Sequence, residues 1–390
     1  MPARKRRLAA VALALIAVLA LFGWLSRPPR PRYTVTDLGV LPGVFMSGPA
    51  TSNASGINAQ GDVVSLSGPG APRGHAFLYR GGVMTDLGPS GLFSSHGGPA
   101  ISDSGQVTGV LRVTVPLSVS GSGQQFHAFL YGASGMRDLG HPLGTSMSMG
   151  DAINSHGQIA GEAWGNKPVS GGYMGHAFLY SGGRFTDIGT LPGCTDTTPT
   201  GINAAGQVVG YSETQNARER AFLYDAGTRK VTALVAPPGF PDVTAAGIND
   251  RGQIIGTVDL PTQKERAVLW DNGRATDIGT LPGMDNAAGA ALNNRGEVVG
   301  LAYAGQGTMA RFVSDHPIRL GFLIPLFGQG RRGSQVAFLY RAGRMEDLNT
   351  LIPAHSGWVL QEAQGINDRG QIVGSGLHNG QKRAFLLTPR

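Results

Sequence analysis

The chain has 390 residues, of which 61 are glycine, 24 proline and one cysteine, and its formal charge is +7. Residues 1–32 hold seven Lys/Arg and no acid, so the other 358 residues carry 25 Lys/Arg against 25 Asp/Glu and are neutral. A neutral body gives no support for phosphate-led binding of nucleic acid, and a lone cysteine, Cys194, excludes an intrachain disulfide.

The first stretch, residues 1–7, is a basic MPARKRR. Residues 8–25 follow as eighteen positions without a charge or proline, ending at Trp24 and Leu25. That length sits at the lower edge of a membrane span and above an ordinary signal-peptide core. It predicts an uncleaved signal-anchor helix, with a cleaved signal peptide as the alternative, and a Pro/Arg linker over 26–32. The expected domains are therefore 1–25, 26–32 and a body over 33–390, placed outside the cytoplasm at a bacterial inner membrane, or secreted after cleavage. The membrane, through this helix, is one expected partner.

The body is a repeat. Variants of GINAAGQVVG occur seven times, with Asn58, Ser102, Asn154, Asn203, Asn249, Asn293 and Asn367 at the third position. The glycine three residues later recurs at 61, 105, 157, 206, 252, 296 and 370, at spacings of 44, 52, 49, 46, 44 and 74 residues. In N-x-x-G the asparagine side chain can bond nearby backbone and the glycine can take positive φ, which reads as a tight turn. Q-V-V-G reads as a short strand of β-branched residues stopped by its glycine. A second phrase, [HR]-A-F-L-Y, begins at His75, His127, His176, Arg220, Arg266 and Arg383, with Val336 in one copy. It predicts an inner strand packed on both faces, followed by a glycine turn and a further strand ending in D-[IL]-G.

Three or four strands in each repeat, seven times over, predict an all-β, seven-bladed β-propeller. The last repeat stops at residue 390 without its D-[LI]-G strand, while residues 33–39 supply an extra copy before the first repeat. The N-terminal strand is therefore expected to close the ring. The sixth repeat carries an insertion over about 301–335, which reads as a lip or partner-binding hairpin, or as a packed excursion over a neighbouring blade.

These phrases, HAFLY, D-[LI]-G-T-L-P-G and G-I-N-x-x-G-Q-V-V-G, resemble those of the bacterial HAF extracellular repeat family over residues 33–387. The resemblance implies an exported, propeller-like protein and no particular activity.

Candidate chemistry is thin. His75, His127 and His176 share one repeat position with Arg220, Arg266, Val336 and Arg383, which fits a strand-edge residue better than a metal ligand. Asp37, Asp86, Asp138, Asp187, Asp277 and Asp347 recur in one turn and are expected to accept backbone N–H bonds. No catalytic, cofactor or metal residue is assigned, and no cofactor is expected. The leading reading is a non-catalytic, monomeric binding scaffold of the cell envelope, with an unknown protein or an envelope glycan as ligand. A purely structural surface protein is a third class. The alternative is an extracytoplasmic hydrolase or lyase acting on polysaccharide at one mouth of the ring. That alternative requires convergent polar residues that the repeat does not share.

Overall fold

The computed structural model describes residues 31–42, 51–68, 74–89, 98–116, 124–142, 144–165, 175–216, 218–237, 239–240, 242–260, 262, 264–305 and 335–390. They form seven four-stranded antiparallel sheets. In blade four the inner strand is Cys194–Ile202, the second Val208–Thr214, the third Glu219–Asp225 and the outer Lys230–Ala233. Six blades take all four strands in chain order. The last joins the N-terminal strand Tyr33–Asp37 to Gln381–Pro389 as its outer strand, with Tyr33 opposite Pro389 and Asp37 opposite Phe385.

The expected closure is corrected in one respect. No ladder passes from one blade to the next, so every sheet stays a separate four-stranded unit. The strand Tyr33–Asp37 completes a blade, and side-chain packing between blade faces holds neighbouring sheets together. Val209 and Ala221 of blade four meet Val243, Ala245, Val258 and Val268 of blade five in one such layer. Leu38, Ala54 and Val63 meet Val373, Ala384 and Leu386 where the first blade faces the last.

The membrane-anchored architecture is also corrected. The helix expected over 8–25 lies outside the described residues, and among those described no helix is long and apolar enough to cross a membrane. The helical element there is a 3-10 turn, Leu348–Leu351, capped by the Asp347 carboxylate. The described residues therefore give the expected membrane partner no support. Most of the sixth-repeat insertion, 306–334, likewise falls outside the described residues.

The A-F-L-Y phrase is the third strand of each blade, and Ala76, Phe77 and Leu78 are buried in succession because blades cover both faces. Phe77, Phe178, Phe222, Phe338 and Phe385 are among the largest fully buried side chains. The glycine closing Q-V-V-G does not stop its strand, as its sequence suggested. The second strand of blade four runs through Gly210 to Thr214. A Cβ on Gly210 would lie 2.0 Å from the Thr198 carbonyl oxygen and 2.9 Å from the Phe222 ring. That glycine is selected by close approach within its own blade.

The N-x-x-G turn does what its residues predicted and more. Its glycines have φ between +73° and +89°. The asparagine Oδ1 accepts two backbone N–H groups, as Asn249 does from Arg251 at 3.1 Å and Gln253 at 2.9 Å. Its Nδ2 donates to Gln253 Oε1 and, across the blade boundary, to the Asn293 carbonyl, both at 2.9 Å. The same cross-blade bond runs from Asn154 to Asn203, Asn203 to Asn249, Asn293 to Asn367 and Asn367 to Asn58. Ser102 has no carboxamide to pass the chain on. Between blades one and two the bridge is the Ala59 N–H on the Asp103 carboxylate, at 2.7 Å.

A candidate acidic site across blades four to six

The repeated polar residues have structural duties. All six recurrent aspartates accept the backbone N–H two residues on, from Gly39, Gly88, Gly140, Gly189, Gly279 and Asn349, at 2.7–2.8 Å. Three of them pair with the histidines considered as ligands: His75 with Asp86 and His127 with Asp138 at 2.9 Å, and His176 with Asp187 at 3.6 Å. Arg266 takes the same position against Asp277. Repetition of position thus means repetition of one strand-end clasp. Among the described residues no three His, Cys, Asp or Glu are grouped to hold a metal.

The non-repeated polar residues converge elsewhere. Because each second strand continues past its glycine, the residue three positions on reaches the end of the blade opposite the asparagine turns. Those residues are Gly68, Arg112, Trp164 and Leu377 in four blades, but Glu213, Asp259 and Tyr303 in blades four, five and six. The residue before [HR]-A is glutamate in blades four and five, Glu219 and Glu265. Register does the rest. Glu213 lies directly opposite Glu219 in blade four, while in blade five Asp242 lies opposite Asp259 and Asp259 opposite Glu265.

Directly opposed cross-strand residues have Cβ atoms about 4.5–5.5 Å apart, and like charges so placed destabilise a sheet. Here three acids stand in one row. Burial pushes Glu219 up to about 8, with Asp259, Glu213, Asp242 and Glu265 adding to it in that order. Burial pushes Glu265 up to about 7, opposed by the Tyr303 hydroxyl and reinforced by Asp259. Asp259 rises to about 6 through burial and then Asp242, and burial also raises Glu213. Tyr303 is raised by burial and by Glu265. Groups this close share their protons, so these values describe the cluster as a unit. Near neutral pH it holds both protonated and ionised carboxyls side by side, the composition that acid–base chemistry uses.

The sequence contained a signal that pattern reading passed over. E-R-A opens the third strand in blades four and five alone, yet these phrases read as RAFLY and RAVLW. Ending the second strand at glycine hid Glu213 and Asp259 as well.

No family model matches the chain and no curated protein matches it, so neither comparison supports the HAF resemblance. The fold is found among solved structures. An oligogalacturonate lyase in complex with manganese aligns with TM-score 0.54 and 10% identity over 93% of this chain and 95% of that one. The β-propeller domain of the Trilobed protease from Pyrococcus furiosus, described as an open velcro topology, aligns with TM-score 0.49 and 10% identity over 76% and 81%. An acylaminoacyl peptidase from Pyrococcus horikoshii aligns with TM-score 0.48 and 11% identity over 77% of this chain and 46% of its own length, so this chain spans about half of that protein.

The seven four-stranded sheets define the class, a seven-bladed β-propeller. The lyase likeness corrects the leading, non-catalytic expectation. The lyase shares this fold, so the fold gives no ground for excluding catalysis. The acids of blades four and five are the convergent, non-repeated group that the catalytic alternative required.

Proposed function

We propose that this propeller is an extracytoplasmic hydrolase acting on polysaccharide, with its reaction centre in the acids of blades four and five. The observation that carries the reading is the opposed row Asp242, Asp259 and Glu265, facing Glu219 of the neighbouring blade. Glycosidic cleavage needs one carboxylic acid to protonate the leaving oxygen and one carboxylate to attack or to activate water. In retaining enzymes the two carboxyls stand about 5–5.5 Å apart, a spacing that opposed cross-strand positions support. Glu265, pushed up to about 7, serves as the acid and Asp259, at about 6, as the carboxylate partner. The basic residues 1–7 followed by the apolar run 8–25 support export.

The test is reducing-end release from a panel of polysaccharides by the purified protein and by Glu265→Gln and Asp259→Asn. The expected result is turnover of at least one polymer, lost by about 10²-fold or more in each variant with the melting transition retained. Full activity in either variant, or no turnover of any polymer, overturns the assignment.

A further inference from the structure

Among the described residues no cation is paired with this cluster. Successive residues of a strand point to opposite sheet faces, so Arg220 and Arg266, next in sequence to Glu219 and Glu265, are turned away from them. Arg220 donates to the Pro192 carbonyl at 3.0 Å, and Arg266 serves Asp277 and the Glu265 and Asp285 carbonyls. Lys264 is spent on Asp285, at 3.0 Å. The charges acting most strongly on Glu219 are all carboxylates.

The cluster also has unspent bonding capacity. Glu265 is only 6% exposed, and the one side-chain hydroxyl set against its carboxyl is that of Tyr303. Asp242 Oδ1, at the same end of these blades, is buried without a partner. A buried acceptor left unmade costs stability, and so do like charges opposed across a sheet. Both penalties fall when a cationic donor enters. An ammonium group brings one positive charge and three N–H donors. A compact metal ion is the poorer match, because no three ligands among the described residues are grouped to hold one.

We propose that the site takes a glycan bearing free amino groups, an amino-sugar polymer that is not N-acetylated, whose ammonium groups lie among Glu213, Glu219, Asp242 and Glu265. This rests on the reading of these acids as a polysaccharide-cleaving centre, and it names the substrate class. An anionic glycan, such as a uronate polymer, meets uncompensated like charge there and is rejected. A fully acetylated polymer brings neither the charge nor the donors.

The test uses the full chain with four hexasaccharides: β-1,4-linked glucosamine, its N-acetylated counterpart, cellohexaose and hexagalacturonate, together with hexalysine. Binding is read by titration calorimetry at two salt concentrations and cleavage by mass spectrometry. The expected result is glucosamine hexamer bound about tenfold or more tightly than every other probe, with a preference that shrinks at high salt. Glu219→Gln and Glu213→Gln, nearly isosteric, each reduce that preference while the thermal transition is kept. Equal or tighter binding of the acetylated, neutral or anionic hexamer overturns the inference and leaves the hydrolase reading standing. Equal binding of hexalysine overturns it in favour of a basic peptide. Selective binding of the glucosamine hexamer without cleavage of any glycan supports the inference and removes the hydrolase reading instead.

Discussion

Replacing Glu265 by glutamine tests the electrostatics of the site without reference to any substrate. In the folded protein Glu265 holds its proton up to about 7, against 4.5 for the ordinary side chain. Between those values the folded state binds more protons than the unfolded one, so stability falls as pH rises. The penalty is absent below pH 4.5 and complete above about 7. At 1.36 kcal/mol per unit the whole shift corresponds to about 3 kcal/mol. Glutamine cannot ionise and leaves the Glu265 backbone N–H on Asn286 Oδ1 untouched. The variant should therefore match the parent at pH 4.5 and exceed it at pH 8–9. With an unfolding entropy of about 2.1 cal/mol/K per residue over 358 residues, the gain is about 4 °C in Tm. Circular dichroism melts across that pH range read it directly. A difference independent of pH, or a variant less stable than the parent at pH 9, would refute the reasoning.

Four further outcomes follow from the same geometry. Activity on any polysaccharide substrate should be bell-shaped in pH, with kcat/KM confined between limbs near 6 and 7 set by Asp259 and Glu265; a flat profile from pH 5 to 9 contradicts the acid–base pairing. Asn249→Asp keeps the two accepted N–H bonds but loses both Nδ2 donations and buries a charge, costing about 2–3 kcal/mol in urea unfolding; a loss under about 0.5 kcal/mol would mean that the inter-blade bonds carry no weight. Gly210→Ala, whose Cβ meets the Thr198 oxygen at 2.0 Å, should destabilise more than Gly252→Ala, which has φ of +76° but open space; the latter costs about 1–2 kcal/mol, and the reverse order in thermal melts counts against the packing account. Removing residues 1–37 bares the ladder edge of Gln381–Pro389, and size-exclusion chromatography should show association of the shortened chain; a monomer of parental stability would show that the added strand is dispensable.

How far the sequence could be read depended on how often a feature recurs. The asparagine turn, the positive-φ glycine and the D-[IL]-G aspartate are local devices: each satisfies backbone groups within a few residues, so spacing alone revealed them. The extra strand at residues 33–37 was legible for a related reason, since one repeat lacked what the N-terminus supplied. The fate of residues 8–25 was not decided by hydropathy, and the described residues contain no membrane-crossing helix.

The acidic site was harder to read, because the E-R-A phrases at Glu219 and Glu265 do not by themselves say which strand positions oppose them. The second strand passes through Gly210, where Thr198 and Phe222 of the adjacent strands leave no room for a Cβ. Only that continuation sets Glu213 against Glu219, and only the register of blade five sets Asp242, Asp259 and Glu265 in one row. The sequence by itself determined the number of blades, their turns and the strand that completes the last of them, because those rest on short-range hydrogen bonding repeated seven times. Tertiary structure decided where unlike residues of different blades meet, because a carboxyl is perturbed by burial and by like charges a few ångströms away, whatever their separation along the chain.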